Sequence, residues 1–176
     1  MRDSNLIEDL IKMAGDHDLS VQCRAIEAIT AAGPIGRSAI PVVVDRLRSA
    51  DEDVRFAATT MIGSHGSGAG EALPALVQLL ADSDHQWRLK ILETISKLGA
   101  AAKPAVAELA LLLDDPSEEI RESALDAIGD LGLPPGQLVS WVSKGLHDRH
   151  AEVRGRAMRI TRQLGPAAME LVPILI

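Results

Sequence analysis

The side chains best suited to metal binding or acid–base catalysis do not cluster along this chain. The five histidines occupy different positions of the sequence pattern, mostly in turns: His17, His65, His85, His147 and His150. Only His147 and His150, with Asp148 between them, could lie on one helical turn and form a metal-binding pair. Solvated turn residues are the simpler interpretation of these histidines. We therefore predict no metal site and no cofactor.

Motifs for nucleophilic or phosphate chemistry are missing from the sequence as well. The glycine-rich run from Gly63 to Gly68 has no preceding strand pattern and no lysine that would hold a phosphate. No serine lies in a G-x-S-x-G context. The acidic run from Asp114 to Glu119 is typical of helix caps and solvated turns rather than of a catalytic carboxylate pair. The sequence predicts a protein that is not an enzyme.

The composition disfavours nucleic acids and flat cofactors as ligands. The chain has 176 residues, with 18 Lys and Arg against 25 Asp and Glu, and its formal net charge of -7 opposes a phosphate backbone. It has two Trp, one Phe and no Tyr, so aromatic platforms for stacked bases are nearly absent. The densest basic stretch holds these arginines: Arg149, Arg154, Arg156, Arg159 and Arg162. Hydrophobic residues make up 47% of the chain and must form an aliphatic core.

The cysteine count and the hydropathy bear on the cellular compartment. The single cysteine, Cys23, excludes an internal disulfide and suits a reducing environment, where it packs as a small apolar residue. No stretch approaches the roughly 18 consecutive apolar residues of a membrane span, and the acidic segment 1–12 does not resemble a signal peptide. We predict a soluble, cytoplasmic protein with no membrane partner.

The strongest pattern in the sequence is a repeat of 33 residues. Five glycines keep this spacing: Gly33, Gly66, Gly99, Gly132 and Gly165. Five large apolar residues keep it too: Val21, Val54, Trp87, Ile120 and Val153. Such a period indicates a stack of similar structural units. We divide the chain into a partial unit over 1–15, complete units over 16–48, 49–81, 82–114 and 115–147, and a truncated unit over 148–176.

The unit over 49–81 shows the pattern most clearly. Asp51 is a predicted N-cap, and apolar residues then recur at three- and four-residue steps from Val54 to Ile62, which predicts a first helix. We expect Gly66 to end that helix in a left-handed conformation. Pro74 stands in the first turn of a second helix. Each helical hairpin is too small to bury its own apolar faces, so neighbouring units must complete its core.

Both ends of the chain lie inside a unit in this scheme. Residues 4–14 match a second helix, and the chain stops within another at the apolar segment 171–176. Because a native solenoid normally ends in a polar cap, we interpret the chain as a piece of a longer protein. The apolar C-terminal end predicts self-association.

The unit can be written as D-x-x-V-R-x-x-A, a glycine, and then A-x-x-x-P-x-L-x-x-L-L-x-D. In the copy that matches best, the residues are Asp51, Val54, Arg55, Ala58, Pro74, Leu76, Leu79, Leu80 and Asp82. This pattern resembles HEAT repeats over essentially the whole chain, particularly the bacterial subgroup named after the phycobilisome lyases. The resemblance implies an all-α fold, a right-handed α–α superhelix (solenoid) of about five helical hairpins. It also implies that the second helices line a concave face used mainly for protein recognition.

The resemblance also implies a structural role for a column of charged residues. Four arginines directly follow the large apolar residue of their units: Arg55, Arg88, Arg121 and Arg154. An aspartate lies six positions before each of the last three: Asp82, Asp115 and Asp148. In HEAT repeats an Asp and an Arg at such positions form a ladder of charged hydrogen bonds, which favours structural support over partner binding. Gln22 replaces the arginine and Ser49 the aspartate near the N-terminus, so we predict looser packing there.

The residues of the second helices that point away from the core define the predicted partner face. Four of them are polar: Asp45, Gln78, Glu108 and Lys144. Four are apolar: Leu79, Leu111, Leu112 and Trp141. Large apolar residues on a solvated face favour a binding surface. The alternative stays open that Leu79 and Leu112 pack between units and that Trp141 covers a gap beside small serines. Trp87 belongs to the core column, and we interpret it as structural.

The leading hypothesis is a non-catalytic scaffold that presents this concave face to a protein or peptide. A second hypothesis is a phycobilin-lyase-like bilin attachment factor, which the repeat subtype resembles, although no basic cluster is placed to hold bilin propionates. A third is a DNA-binding module similar to HEAT-like alkylpurine glycosylases, for which only Arg46 and Lys144 supply positive charge on the partner face. A spacer without a partner is the fourth.

Overall fold

A computed structural model describes residues 2–166, with the side chains of residues 2–4 and of Asp82 excepted. Over that range the chain forms ten α-helices and no strand. They are α1 (Arg2–Ala14), α2 (Leu19–Ala31), α3 (Ile40–Arg46), α4 (Glu52–Ser64), α5 (Leu73–Asp82), α6 (His85–Leu98), α7 (Val106–Leu111), α8 (Glu118–Asp130), α9 (Pro135–Leu146) and α10 (Ala151–Leu164). The predicted all-α stack of helical hairpins is confirmed. The segment 171–176, on which the prediction of self-association depends, lies outside the described residues.

The first helices α2, α4, α6 and α8 begin at residues whose polar side chains cap the helix, whereas α10 has no such cap. The carboxylate of Asp51 accepts a hydrogen bond from the amide of Val54 at 3.0 Å. Asp84 accepts one from the amide of Trp87 at 2.9 Å at the start of α6. These amides have no partner within the helix, so the caps stabilise the helix ends and define where each unit begins.

The glycines of the 33-residue column turn the chain between the two helices of a unit. All five have positive φ, between 51° and 64°. The ψ of Gly99 is -127°, whereas a left-handed helical residue has ψ of about +47°. The predicted positive φ is therefore confirmed, but Gly99 occupies a different region, one that a Cβ atom disfavours strongly.

A short 3-10 segment begins at the glycine in the first three complete units. These segments span Gly33–Ala39, Gly66–Ala72 and Gly99–Ala105. Because they occupy the start of the second half of each unit, the second helices are short. α3 has 7 residues and α7 has 6, against 13 in α2 and 14 in α6. The sequence pattern did not predict these segments.

The helices form two layers. The first helices α2, α4, α6, α8 and α10 contact one another in chain order. Each second helix packs against the first helix of the following unit: α3 on α4, α5 on α6, α7 on α8 and α9 on α10. The core extends between the layers from Ala14 to Ile160 as one cluster of buried residues. Every unit therefore shares its core with its neighbours, and the stack holds its surfaces at fixed spacing.

Candidate functional site

The arginine column lies at the turns between units, where Arg121 is buried and Arg55, Arg88 and Arg154 are half-buried. Arg121 is 5% exposed, and its Nη1 donates to the carbonyl of Asp115 at 2.8 Å. Its Nε and Nη2 donate to the two carboxylate oxygens of Asp148 at 2.7 and 2.9 Å. Arg88 Nη2 likewise donates to Asp115 Oδ2 at 2.7 Å. Arg88 and Arg121 therefore each join their own unit to the aspartate of the next unit.

Asp115 and Asp148 each contact two arginines, one in the same unit and one in the preceding unit. The aspartate six positions before the arginine supplies its backbone carbonyl to that arginine, while its carboxylate faces the arginine of the preceding unit. Arg154 follows the same pattern, because its Nη1 donates to the carbonyl of Asp148 at 2.9 Å. The hydrogen bond from Arg121 lowers the pKa of Asp148 and raises the pKa of Arg121 itself. The side chain of Asp82 lies outside the described residues.

The N-terminal end of this column is different. Gln22 takes the place of the arginine, and its Nε2 donates to the carbonyl of Asp16 at 2.5 Å. Its Oε1 is buried without a hydrogen-bond partner in the described part of the chain. Gln22 thus keeps the bond to its own turn and has no charged bond to the next unit. The looser packing that the sequence predicts at this end remains a prediction.

The predicted partner face divides into exposed and half-buried residues. Five of its members are exposed: Asp45, Gln78, Glu108, Leu111 and Lys144. Three are half-buried and pack against the core: Leu79, Leu112 and Trp141. Leu111 is 74% exposed. It is therefore the most exposed large apolar side chain of this set.

Polar residues of the partner face connect neighbouring units. Lys144 Nζ lies 2.6 Å from Asp114 Oδ2, at the end of the turn that follows α7. Arg48 donates a hydrogen bond to the side-chain oxygen of Gln78. Because Lys144 is balanced by a carboxylate, it offers little net charge to a phosphate group.

Trp87 is less buried than its position in the core column predicts. Val54 and Ile120, at equivalent positions, are fully buried, whereas Trp87 is half-buried. The indole ring lies under the guanidinium of Arg55, whose Cζ is 4.9 Å from the ring centroid. The indole is larger than valine or isoleucine, so it reaches the surface and makes a cation–π contact there.

The outer surface of the first helices carries ion pairs between units. Arg156 of α10 lies 2.5 Å from Glu122 and 3.0 Å from Asp126, both on α8. Arg159 also pairs with Asp126. Burial raises the pKa of Asp126, and Arg156 and Arg159 oppose that shift. These acids therefore neutralise part of the basic stretch that the sequence shows in α10.

The histidines singled out from the sequence have separate partners. His147 Nδ1 lies 2.8 Å from the carbonyl of Ser143, and His150 pairs with Glu118. His85 Nε2 lies 2.6 Å from Glu119 Oε2. Among the residues that the structure describes, no group of three or more His, Cys, Asp or Glu side chains is arranged to hold a metal ion. Over the same residues, no helix combines the length and the apolar character that crossing a membrane requires.

Sequence analysis missed a groove on the first helices. It lies between α2 and α4, and Cys23 and Phe56 contribute to its walls. Phe56 is 54% exposed. Cys23 and Phe56 lie 33 residues apart, in equivalent positions of adjacent units. The 33-residue period, which places Cys23 and Phe56 in one column, is the sequence signal for this groove.

The repeat architecture agrees with a sequence comparison. The family model for HEAT repeats matches residues 40–129, just over half of the 176 residues. The chain belongs to the HEAT-repeat family. No curated protein matches the chain in sequence.

Solved structures of helical repeat proteins are similar to this chain in fold. One is a chain of the complex of CpcE and CpcF of phycocyanin lyase from Nostoc sp. PCC7120, with a TM-score of 0.66 and 21% identity over 94% of this chain and 68% of that chain. A designed armadillo repeat protein in complex with the peptide (KR)4 has a TM-score of 0.65 and 22% identity over 92% and 80%. The archaeal HEAT-like repeats protein from Thermococcus onnurineus NA1 has a TM-score of 0.63 and 16% identity over 89% and 69%.

Proposed function

We propose that this chain is a non-catalytic scaffold that binds a protein or a peptide on the surface of its second helices. The observation that carries this proposal is Leu111 on α7, which is 74% exposed. Its equivalents in the adjacent units, Gln78 and Lys144, are polar. Half-buried Leu112 and Trp141 add apolar area on the same layer of helices. A partner that covers Leu111 would remove apolar surface from water, which favours association.

Similar structures support a binding role for such a stack. The designed armadillo protein is seen with a peptide, and the CpcE and CpcF chains are seen with each other. Stacked repeats give long continuous surfaces and no enclosed pocket, which suits recognition of an extended partner. We also propose a cytoplasmic location, supported by the single free cysteine, Cys23. Cell fractionation with an antibody against the chain tests this location.

Bilin attachment is an alternative function, suggested by the structural similarity to a chain of the CpcE and CpcF complex. A bilin carries propionate groups, which need free cations. Arg156 and Arg159 are paired with Glu122 and Asp126. Lys144 is paired with Asp114. These pairs favour the scaffold over the bilin factor, and over a module that binds DNA.

Affinity capture from a lysate of the source organism, with quantitative mass spectrometry, tests the proposal. The informative variant is Leu111→Asp, because the exposed position tolerates a polar side chain without loss of core. The matched control is Met158→Asp on α10, since Met158 is 57% exposed and lies on a first helix. We expect a stoichiometric partner with the wild type and Met158→Asp, and its loss with Leu111→Asp. Identical sets of captured proteins for wild type and Leu111→Asp would reject this surface.

A further inference from the structure

The groove between α2 and α4 has a cavity volume of about 460 Å³. Most of the side chains that line it are uncharged: Cys23, Thr30, Ala31, Phe56, Ala57 and Thr60. Two carboxylate residues, Glu27 and Asp53, complete the lining, and both side chains are exposed. The groove therefore combines apolar walls with negative charge at its rim.

The repeat shows what occupies the equivalent space elsewhere in the stack. Asp126 on α8 stands three units after Glu27, at the same position of the repeat. Asp126 pairs with Arg156 and Arg159, which the next first helix supplies. The positions of those two arginines are taken on α4 by Ala57 and Thr60. Where α10 presents two guanidinium groups, α4 presents a methyl group and a hydroxyl group.

The same position on α6 is also neutralised from within the chain. Glu93 lies 3.2 Å from Lys90 Nζ and 2.6 Å from Lys97 Nζ. Glu27 forms no salt bridge with any residue that the structure describes. This includes Arg24, which lies one turn earlier on α2 and does not pair with Glu27. The side-chain contact of Glu27 is with the thiol of Cys23, at 3.9 Å between Sγ and Oε1. Glu27 is thus a carboxylate without the cations that its counterparts have.

The electrostatic field in the groove is consistent with this imbalance. Burial raises the pKa of the Cys23 thiol, and the charges of Glu27, Asp53 and Asp51 raise it further. The negative charges that disfavour a thiolate at this site favour a cation there. The nearby ammonium of Lys90, 4.9 Å from the centre of the Phe56 ring, is already balanced by Glu93.

We propose that this groove binds an arginine side chain of a partner polypeptide. The guanidinium pairs with Glu27, in the place that Arg156 and Arg159 take against Asp126. The aliphatic stem packs on Phe56 and Ala57. Arginine fits better than lysine because its planar group binds a carboxylate through two parallel hydrogen bonds and stacks on an aromatic ring. This surface belongs to the first helices and is separate from the face around Leu111.

A titration followed by ¹H–¹⁵N correlation NMR tests the proposal directly. The probe is the peptide acetyl-Leu-Arg-Leu-amide, and its control replaces arginine with citrulline, which has nearly the same shape and no charge. We expect millimolar binding of the arginine peptide, with shifts concentrated in residues 23–31 and 53–60. Loss of one charged hydrogen-bonded pair should weaken binding about tenfold or more, both for the citrulline peptide and for Glu27→Gln.

Three variants make the test specific. Asp126→Asn changes the equivalent carboxylate on α8, which is already paired with Arg156 and Arg159 and lies outside the groove, so it should leave the peptide affinity unchanged. Thr60→Arg places a guanidinium where Arg159 stands in the later repeat, so it should fill the groove and abolish binding. Leu111→Asp should have no effect, because it lies on the second helices. The spectrum of each variant shows at once whether its fold is intact.

Each contrary outcome overturns the assignment. Equal affinity for the arginine and citrulline peptides, or equal effects of Glu27→Gln and Asp126→Asn, would show that Glu27 does not recognise the charge. Shifts confined to the second helices, and lost with Leu111→Asp, would move the binding site to the other face and support the scaffold proposal alone. Absence of binding at millimolar peptide would reject the groove and leave the role of Leu111 to the capture experiment.

Discussion

Neutralising Asp148 should show how strongly the buried arginine bonds hold adjacent units together. The chain offers a matched comparison, because two ion pairs of nearly equal length join neighbouring units. Arg121 and Asp148 are 2.7 Å apart, with side chains 5% and 11% exposed. Lys144 and Asp114 are 2.6 Å apart, with side chains 43% and 72% exposed. The first pair is shielded from water and joined by two hydrogen bonds, whereas the second is exposed to water and joined through a single ammonium group.

The expected magnitudes follow from that difference. Asp148→Asn leaves the buried guanidinium of Arg121 without its counter-charge, although its bond to the carbonyl of Asp115 at 2.8 Å remains. We expect a loss of about 2–3 kcal/mol in the free energy of unfolding, since asparagine keeps one oxygen acceptor. Asp114→Asn should cost less than about 1 kcal/mol, because water screens an exposed pair.

Urea unfolding followed by circular dichroism at 222 nm measures both variants, and its pH dependence adds a second test. The pKa of Asp148 is lowered in the folded state, chiefly by the hydrogen bond from Arg121. Its contribution is therefore complete above the ordinary carboxyl pKa of about 4 and is lost as the pH falls through the lowered value. The stability gap between wild type and Asp148→Asn should close in that window. Equal losses for Asp148→Asn and Asp114→Asn, or a gap that does not change with pH, would refute the reasoning.

Three further predictions concern the stack itself. Leu80→Ala should lower the free energy of unfolding by about 2–5 kcal/mol in urea titrations, because Leu80 is only 6% exposed; a loss below about 1 kcal/mol would mean that adjacent units do not share this core. A Cβ added at Gly132 or at Gly155 would meet no atom within 4 Å, but Gly132 has φ of +64°. Gly132→Ala should therefore lower the melting temperature, whereas Gly155→Ala, on the helix α10, should raise stability by about 0.5–1 kcal/mol. Hydrogen exchange should be faster in α2, where Gln22 replaces the arginine, than in α8; equal protection of the two helices would contradict the role given to the arginine bonds.

The helical units were predictable because their signals are local and repeated. A cap such as Asp51, a glycine such as Gly66 and the apolar steps between them act within one turn of helix or one loop, so their meaning does not depend on the rest of the fold. The shared core followed from the same period, since a hairpin of this size cannot bury its apolar faces alone. The 3-10 segments were not predictable, because no residue type marks them clearly.

The partner face shows where the sequence pattern reaches its limit. Leu79, Leu111 and Leu112 look alike in the sequence, yet Leu79 and Leu112 pack against the core and Leu111 is exposed. Leu79 and Leu112 occupy the same position of the repeat. Leu111 is one residue earlier, about 100° around the helix, and the short α7 ends there. Burial at such boundary positions depends on where the next unit lies, which the periodicity of one unit does not specify.

The sequence by itself determined the class of fold, the length of the unit and the residues of each column, because these depend on spacing along the chain. Only the tertiary structure decided what each column does. Glu27 and Asp126 share one position of the repeat, but Asp126 meets Arg156 and Arg159 from the next helix while Glu27 lies beside Ala57 and Thr60. In both cases the residues on the neighbouring helix are about thirty positions further along the chain than the carboxylate they face. The pairing of charges, and the groove left where a charge has no partner, therefore arise from packing between units.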